Sequence, residues 1–205
     1  METQLLLSFI GASILLALMP GPDNILVLTE SISKGKKNGI LLSVGLSLGV
    51  LIHTTAAATG ISLIIQTSEI AFSIIKYLGA IYLLYLCYQT IKEEAECKSA
   101  NNKIVSSKGI VKKGFLMNIL NPKVSLFFIA LLPQFVSKDG INITLQMMIL
   151  GIIFMTISLT LFSLIAQLSG NLSKYLHNPR FWNITKWGKA IVLAALAIVL
   201  IIAEQ

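Results

Sequence analysis

Apolar residues run in six long blocks along the chain, and polar residues gather in short stretches between them. The blocks are Leu5–Glu30, Gly39–Ile65, Phe72–Ile91, Gly114–Val136, Leu145–Leu168 and Phe181–Ala203. Each holds about 20–27 residues, enough to cross a bilayer core of about 30 Å at 1.5 Å rise per residue. The sixth block carries Lys186 and Lys189 near its start, where long side chains can snorkel to the interface. Composition supports this pattern: 55% of the 205 residues are hydrophobic, 12% are charged, and mean hydropathy is +0.82. A soluble domain of this length needs far more charge to cover its surface. The expected fold is therefore an all-α polytopic membrane protein with six transmembrane helices, a single integral domain over residues 1–205. The opening Met-Glu-Thr-Gln lacks a positive n-region, so no cleaved signal peptide is expected.

The net charge of +7 does not imply nucleic acid, because the basic residues sit in short clusters between apolar blocks. The first connection holds Lys34, Lys36 and Lys37, and the third holds Lys92, Lys98, Lys103, Lys108, Lys112 and Lys113. The fifth, with the start of the last block, holds Lys174, Arg180, Lys186 and Lys189, which makes 13 of the 16 basic residues. Only Lys76 and Lys138 lie near the second and fourth connections, and Lys123 lies inside a block. By the positive-inside rule the odd connections face the cytoplasm, so both termini are expected outside. Three spans (1–91), a linker (92–113) and three more spans (114–205) force the second set to enter from the opposite side. That is the arrangement of an inverted repeat, common among secondary transporters.

If the first set contains a functional break, its counterpart should contain one too. Span 1 is interrupted by Met19-Pro20-Gly21-Pro22-Asp23-Asn24, and span 4 by Asn118-Ile119-Leu120-Asn121-Pro122-Lys123. Asp23 lies 11 residues from Lys34, or about 16 Å along a straight helix, and Lys123 lies 10 from Lys113, or about 15 Å. An acid and a base thus share a depth near mid-membrane, one in each set. Proline removes an N–H donor and opens a helix locally. Freed backbone groups must then face protein or a water-lined cavity. A charge there costs about 2.5–3.5 kcal/mol on insertion scales and normally faces the bundle interior. The competing explanation is a purely structural Asp23–Lys123 ion pair. Matching breaks in both sets favour a substrate site.

Span 2 presents Gly45, Gly49, His53, Ala56 and Gly60 at spacings of 4, 4, 3 and 4, which predicts one small-residue packing face. His53 on that face suits either a hydrogen bond to a neighbouring helix or a proton carrier. Span 5 presents Thr156, Thr160, Ser163 and Gln167 on one face, fit for interhelical hydrogen bonds or for the wall of a substrate path. Tyr77, Tyr82, Tyr85, Tyr88 and Trp187 read as interface anchors. Cys87 and Cys97 suggest neither a disulfide nor a redox pair. No GxxxxGK[ST] loop is present, and no cluster of metal-ligating residues stands out, so neither a cofactor nor a metal is expected. No nucleophile–base constellation points to an enzyme.

The segments LALMPGPDNILVL, GILLSVGLSLGVLIHTTAAATGIS, YLGAIYLLYLCYQTI and KGFLMNILNPKVSLFFIALLPQFV, in that order, resemble the lysine exporter (LysE/RhtB) family of bacterial amino-acid exporters. The resemblance covers almost the whole chain. It implies a multi-pass protein of the bacterial cytoplasmic membrane that exports amino acids or close derivatives in exchange for protons. The family's PGPD element falls on Pro20, Gly21, Pro22 and Asp23, and its NPK element on Asn121, Pro122 and Lys123. On this reading Asp23 meets the substrate ammonium or carries the proton, and Lys123 meets the carboxylate. Asn24, Asn118 and Asn121 add hydrogen bonds. Export of a metal cation or another solute, and a non-transporting scaffold, are the alternatives. A single deep acid disfavours a divalent cation. The small-residue faces suit packing within one chain or in a homo-oligomer.

Overall fold

The computed structural model describes residues 3–19, 21–92, 109–137, 141–172 and 179–202. Among them there is helix and no strand. Span 1 is two helices, α1 (Thr3–Leu18) and α2 (Pro22–Lys34), inclined at 55°. The single residue Gly35, at φ 88°, turns the chain into α3 (Lys36–Ala56). A positive φ is cheap only for glycine, so a one-residue connection requires it there. A π-helical turn (Ala57–Ile61) continues α3 into α4 (Ser62–Thr67), completing span 2, and α5 (Glu69–Lys92) is span 3. Span 4 is α6 (Ile110–Ile119) and α7 (Pro122–Leu126), inclined at 50°. A π-helical turn (Phe127–Leu131) and a 3-10 turn (Leu132–Phe135) extend α7. Then α8 (Ile143–Leu172) and α9 (Pro179–Ile202) form spans 5 and 6. Among the described residues four unbroken helices are long and apolar enough to cross a membrane, or up to six spans when each bent pair counts as one. Pro20, Cys97, the linker over 93–108, Lys138, Lys174 and the chain termini lie outside the described residues.

Helix α3 is the centre of the bundle: half of its most apolar stretch is buried, against 28% for α5, α8 and α9. It packs chiefly on α6, α8 and α2, while α5 pairs with α9. Small residues set the α3–α6 distance. A Cβ on Gly45 would strike the Val111 carbonyl, and one on Gly114 would lie 2.5 Å from the Leu42 carbonyl. A Cβ on Gly49 would lie 2.7 Å from Cβ of Asn118, so Gly49 makes room for a residue of the span-4 break.

The predicted face of span 2 does not continue to Gly60, which is exposed and has nothing near the position of a Cβ; Ala56 is exposed as well. The π-helical turn winds an additional residue into the coil, so the buried line runs on through Ala57, Ala58 and Ile61. The tyrosines at 77, 85 and 88 and Trp187 face outward from the bundle.

The interior is divided into two apolar clusters. The larger contains Phe9, Leu16, Val50, Phe127, Phe128, Leu131, Leu132, Phe135 and Phe154. Its rings interlock, with Phe9–Phe135 centroids at 5.3 Å and Phe127–Phe154 at 5.1 Å. The smaller is Val27, Leu42, Leu46, Ile110, Phe162 and Ala166, at the end of the bundle where Lys34, Lys36, Lys112 and Lys113 lie. Polar residues fill the layer between them.

Gly45→Val is expected to force α3 and α6 apart and to cost about 1–3 kcal/mol, whereas Gly60→Ala is tolerated. Thermal denaturation of both variants in detergent, followed by size-exclusion chromatography, checks this; equal melting points would mean that the α3–α6 contact is slack.

Candidate functional site

Both breaks are built alike. Each places proline as the first residue of the second half-helix, Pro22 in α2 and Pro122 in α7. There its missing N–H is one the helix end would leave unpaired anyway. Pro22 and Pro122 therefore start the second half of each broken span, with the break immediately before them.

Three carbonyls at the end of α1 are met by side chains. Asn24 Nδ2 donates to the Ala17 carbonyl at 2.9 Å, folding α2 back onto the end of α1. Lys123 Nζ, from α7, donates to the carbonyls of Leu16 at 3.2 Å and Met19 at 3.4 Å. A cation at a helix C-terminus also meets the negative end of the helix dipole. The other break is closed from span 2: His53 Nε2 lies 3.1 Å from the Asn118 carbonyl, which as an acceptor requires Nε2 to carry the proton. The His53 ring is buried beside Phe128, with centroids 6.0 Å apart.

Asn121 joins the two breaks. Its Oδ1 accepts from the backbone N–H of Lys123 at 3.0 Å, capping α7. Its Nδ2 then faces Asp23 and donates to Oδ2 at 2.7 Å. Asp23 is 1% exposed, and among the described residues its other oxygen makes no hydrogen bond of good geometry. Asn24 Oδ1 and Asn118 Oδ1 are also buried without a partner. Asp23 and Lys123 are therefore neighbours through Asn121 and the end of α1, not the direct ion pair weighed from sequence.

A narrow cavity, little larger than a water molecule, opens between these groups. Asp23, Asn118, Lys123 and Ser158 give it polar walls, and Leu16, Ala17, Val124, Phe154 and Phe162 give it apolar ones. The α8 side was missed by the sequence reading. Phe154, Ser158 and Phe162 recur every four residues on one helical face, and Ser158 is a buried polar step in that apolar line. The predicted stripe Thr156, Thr160, Ser163 and Gln167 does not line the cavity. Thr156, Thr160 and Gln167 are exposed on the outer side of α8, and Ser163 is half-buried. The hydroxyls of Thr156 and Thr160 bond back to the carbonyls of Ile152 and Thr156, which satisfies them within their own helix. Among the described residues no three His, Cys, Asp or Glu side chains are grouped to hold a metal.

Residues 14–204, which include both breaks, match the family model described as LysE type translocator. The chain belongs to this family. Membrane protein YrhP of Bacillus subtilis, an uncharacterized protein, is 31% identical over 203 residues, covering 94% of this chain and 96% of that one. A leucine efflux protein of Salmonella typhimurium is 32% identical over 133 residues, 63% of this chain and 62% of its own length. An uncharacterized membrane protein of Vibrio cholerae is 27% identical over 87% of both chains. No solved structure matches. In this LysE-family protein, then, the polar centre lies inside a multi-pass membrane bundle.

Asn121→Ala removes a helix cap and the donor to a buried carboxylate, and is expected to cost about 2–4 kcal/mol. Thr160→Ala should stay within about 0.5 kcal/mol of wild type. Thermal melts of the purified variants test both; a benign Asn121→Ala would mean that the breaks are not joined through this amide.

Proposed function

We propose that the chain exports a neutral aliphatic amino acid from the cytoplasm in exchange for protons, by alternating access around the paired breaks. The observation that carries this reading is the buried Asp23 carboxylate, hydrogen-bonded through one oxygen to Asn121, in a cavity that also receives Lys123. A zwitterion needs an anionic partner for its ammonium and a cationic one for its carboxylate, and both stand here. Asp23 meets the ammonium or carries the coupling proton. Lys123 leaves the α1 carbonyls to meet the carboxylate. Leu16, Ala17, Val124, Phe154 and Phe162 suit an aliphatic side chain, in keeping with the relative named for leucine efflux. Spans 1–3 and 4–6 act as inverted repeats that rock against each other. The lysine-rich end faces the cytoplasm of a bacterial inner membrane, with both termini outside.

The test is counterflow of radiolabelled leucine, then of other amino acids, into proteoliposomes. Wild type is expected to accumulate label, while Asp23→Asn and Lys123→Ala lose it although both insert and elute as folded protein. Transport in both variants equal to wild type would remove the two breaks from the mechanism. No counterflow of any amino acid by folded wild type would bring another solute, or a scaffold role, forward.

A further inference from the structure

A buried carboxylate also stands outside this scheme. Glu30, on α2, is 1% exposed and lies seven residues from Asp23, two turns nearer the lysine-rich end. Its Oε1 pairs with Lys34 of its own helix at 2.6 Å, and its Oε2 with Lys113 of α6 at 3.3 Å. A carboxylate this deeply buried is costly unless it is paired. The two pairs differ in kind. Lys34 stands one turn along α2 and moves with Glu30, whereas Lys113 belongs to span 4.

We propose that Glu30 and Lys113 are the closing contact of a gate at the lysine-rich end of the bundle, which α2 opens by swinging away from α6. This rests on the transport reading above and names the contact that must break for the polar cavity to be reached from that end. Three features favour it. The seal between cavity and basic end is thin: Val27, Leu42, Leu46, Ile110, Phe162 and Ala166, with the ion pair beyond them. The opposite side is closed by the much larger cluster of interlocked aromatic rings. Second, α2 is a short rod of 13 residues with a joint at each end, the break before Pro22 and the single glycine Gly35. Third, separation from Lys113 leaves Glu30 still paired with Lys34, so no lone buried charge is created. Helix α6 cannot be the moving part as readily, because Gly45 and Gly114 lock it against α3. The cavity is too small for an amino acid as it stands, so admission of substrate requires some such movement.

Accessibility tests this without any substrate. In a background with Cys87→Ser and Cys97→Ser, Ser158→Cys places a thiol on the cavity wall, and a membrane-impermeant thiol reagent is applied to each face of proteoliposomes in turn. Lys113→Met is expected to speed labelling about tenfold from the face bearing Lys34 and to leave the rate from the other face unchanged. Glu30→Gln should act in the same direction, and Lys113→Arg should keep the slow rate. Unchanged rates in Lys113→Met and Glu30→Gln, equal acceleration from both faces, or no labelling in any variant would each overturn the gate. One-sided acceleration in a protein that shows no amino-acid counterflow would retain the gate and discard the proposed substrate.

Discussion

A helix interrupted inside a bilayer exposes carbonyls and amides that lipid cannot satisfy, and the centre of this protein is organised by that demand. The open end of α1 is closed by Asn24 and by Lys123 from α7, and the open end of α6 by His53 from α3. Asn121 caps α7 and holds Asp23 with the two ends of one amide. Each interrupted span thus depends on the rest of the bundle for groups it lacks. This explains how two breaks with a charged residue each persist at a depth where either alone would be costly.

The same interdependence gives the site its capacity for change. A lysine held by backbone carbonyls can be drawn off by a carboxylate, because the competing contacts are hydrogen bonds to neutral groups and not a salt bridge. In the proposed cycle its departure would leave the end of α1 without those donors and loosen α1 from α7. The proposed cycle would in this way couple binding to helix movement through atoms in direct contact. The unequal size of the two apolar clusters favours the lysine-rich side for the proposed opening.

Close packing around α3 supplies a fixed frame for the proposed movement. Glycines at 45, 49 and 114 bring α3 and α6 so near that a single methyl group would collide with backbone or with Asn118. Shape, not hydrophobicity, holds helices together where the surroundings are as apolar as the side chains. The outer faces of α5 and α9 carry Ile, Leu and Tyr side chains, as suits a lipid boundary.

Much of this was legible in the chain itself. Block length and lysine spacing dictate the number of spans, since both follow from the thickness of the bilayer. The two proline-containing interruptions stand out because charge is rare within apolar runs. Periodicity also marked Gly45 and Gly49, which lie where α3 packs closely on α6. It failed at Gly60, where a π-helical turn shifted the register, and at Thr156 and Thr160, whose hydroxyls found partners one turn back in their own helix. No one-dimensional pattern reveals that Asn121 spans both breaks, that Lys123 caps α1 instead of pairing with Asp23, or that Glu30 meets Lys113. Those contacts join residues about 80 to 110 positions apart, and only the packing of the helices brings them within hydrogen-bond reach.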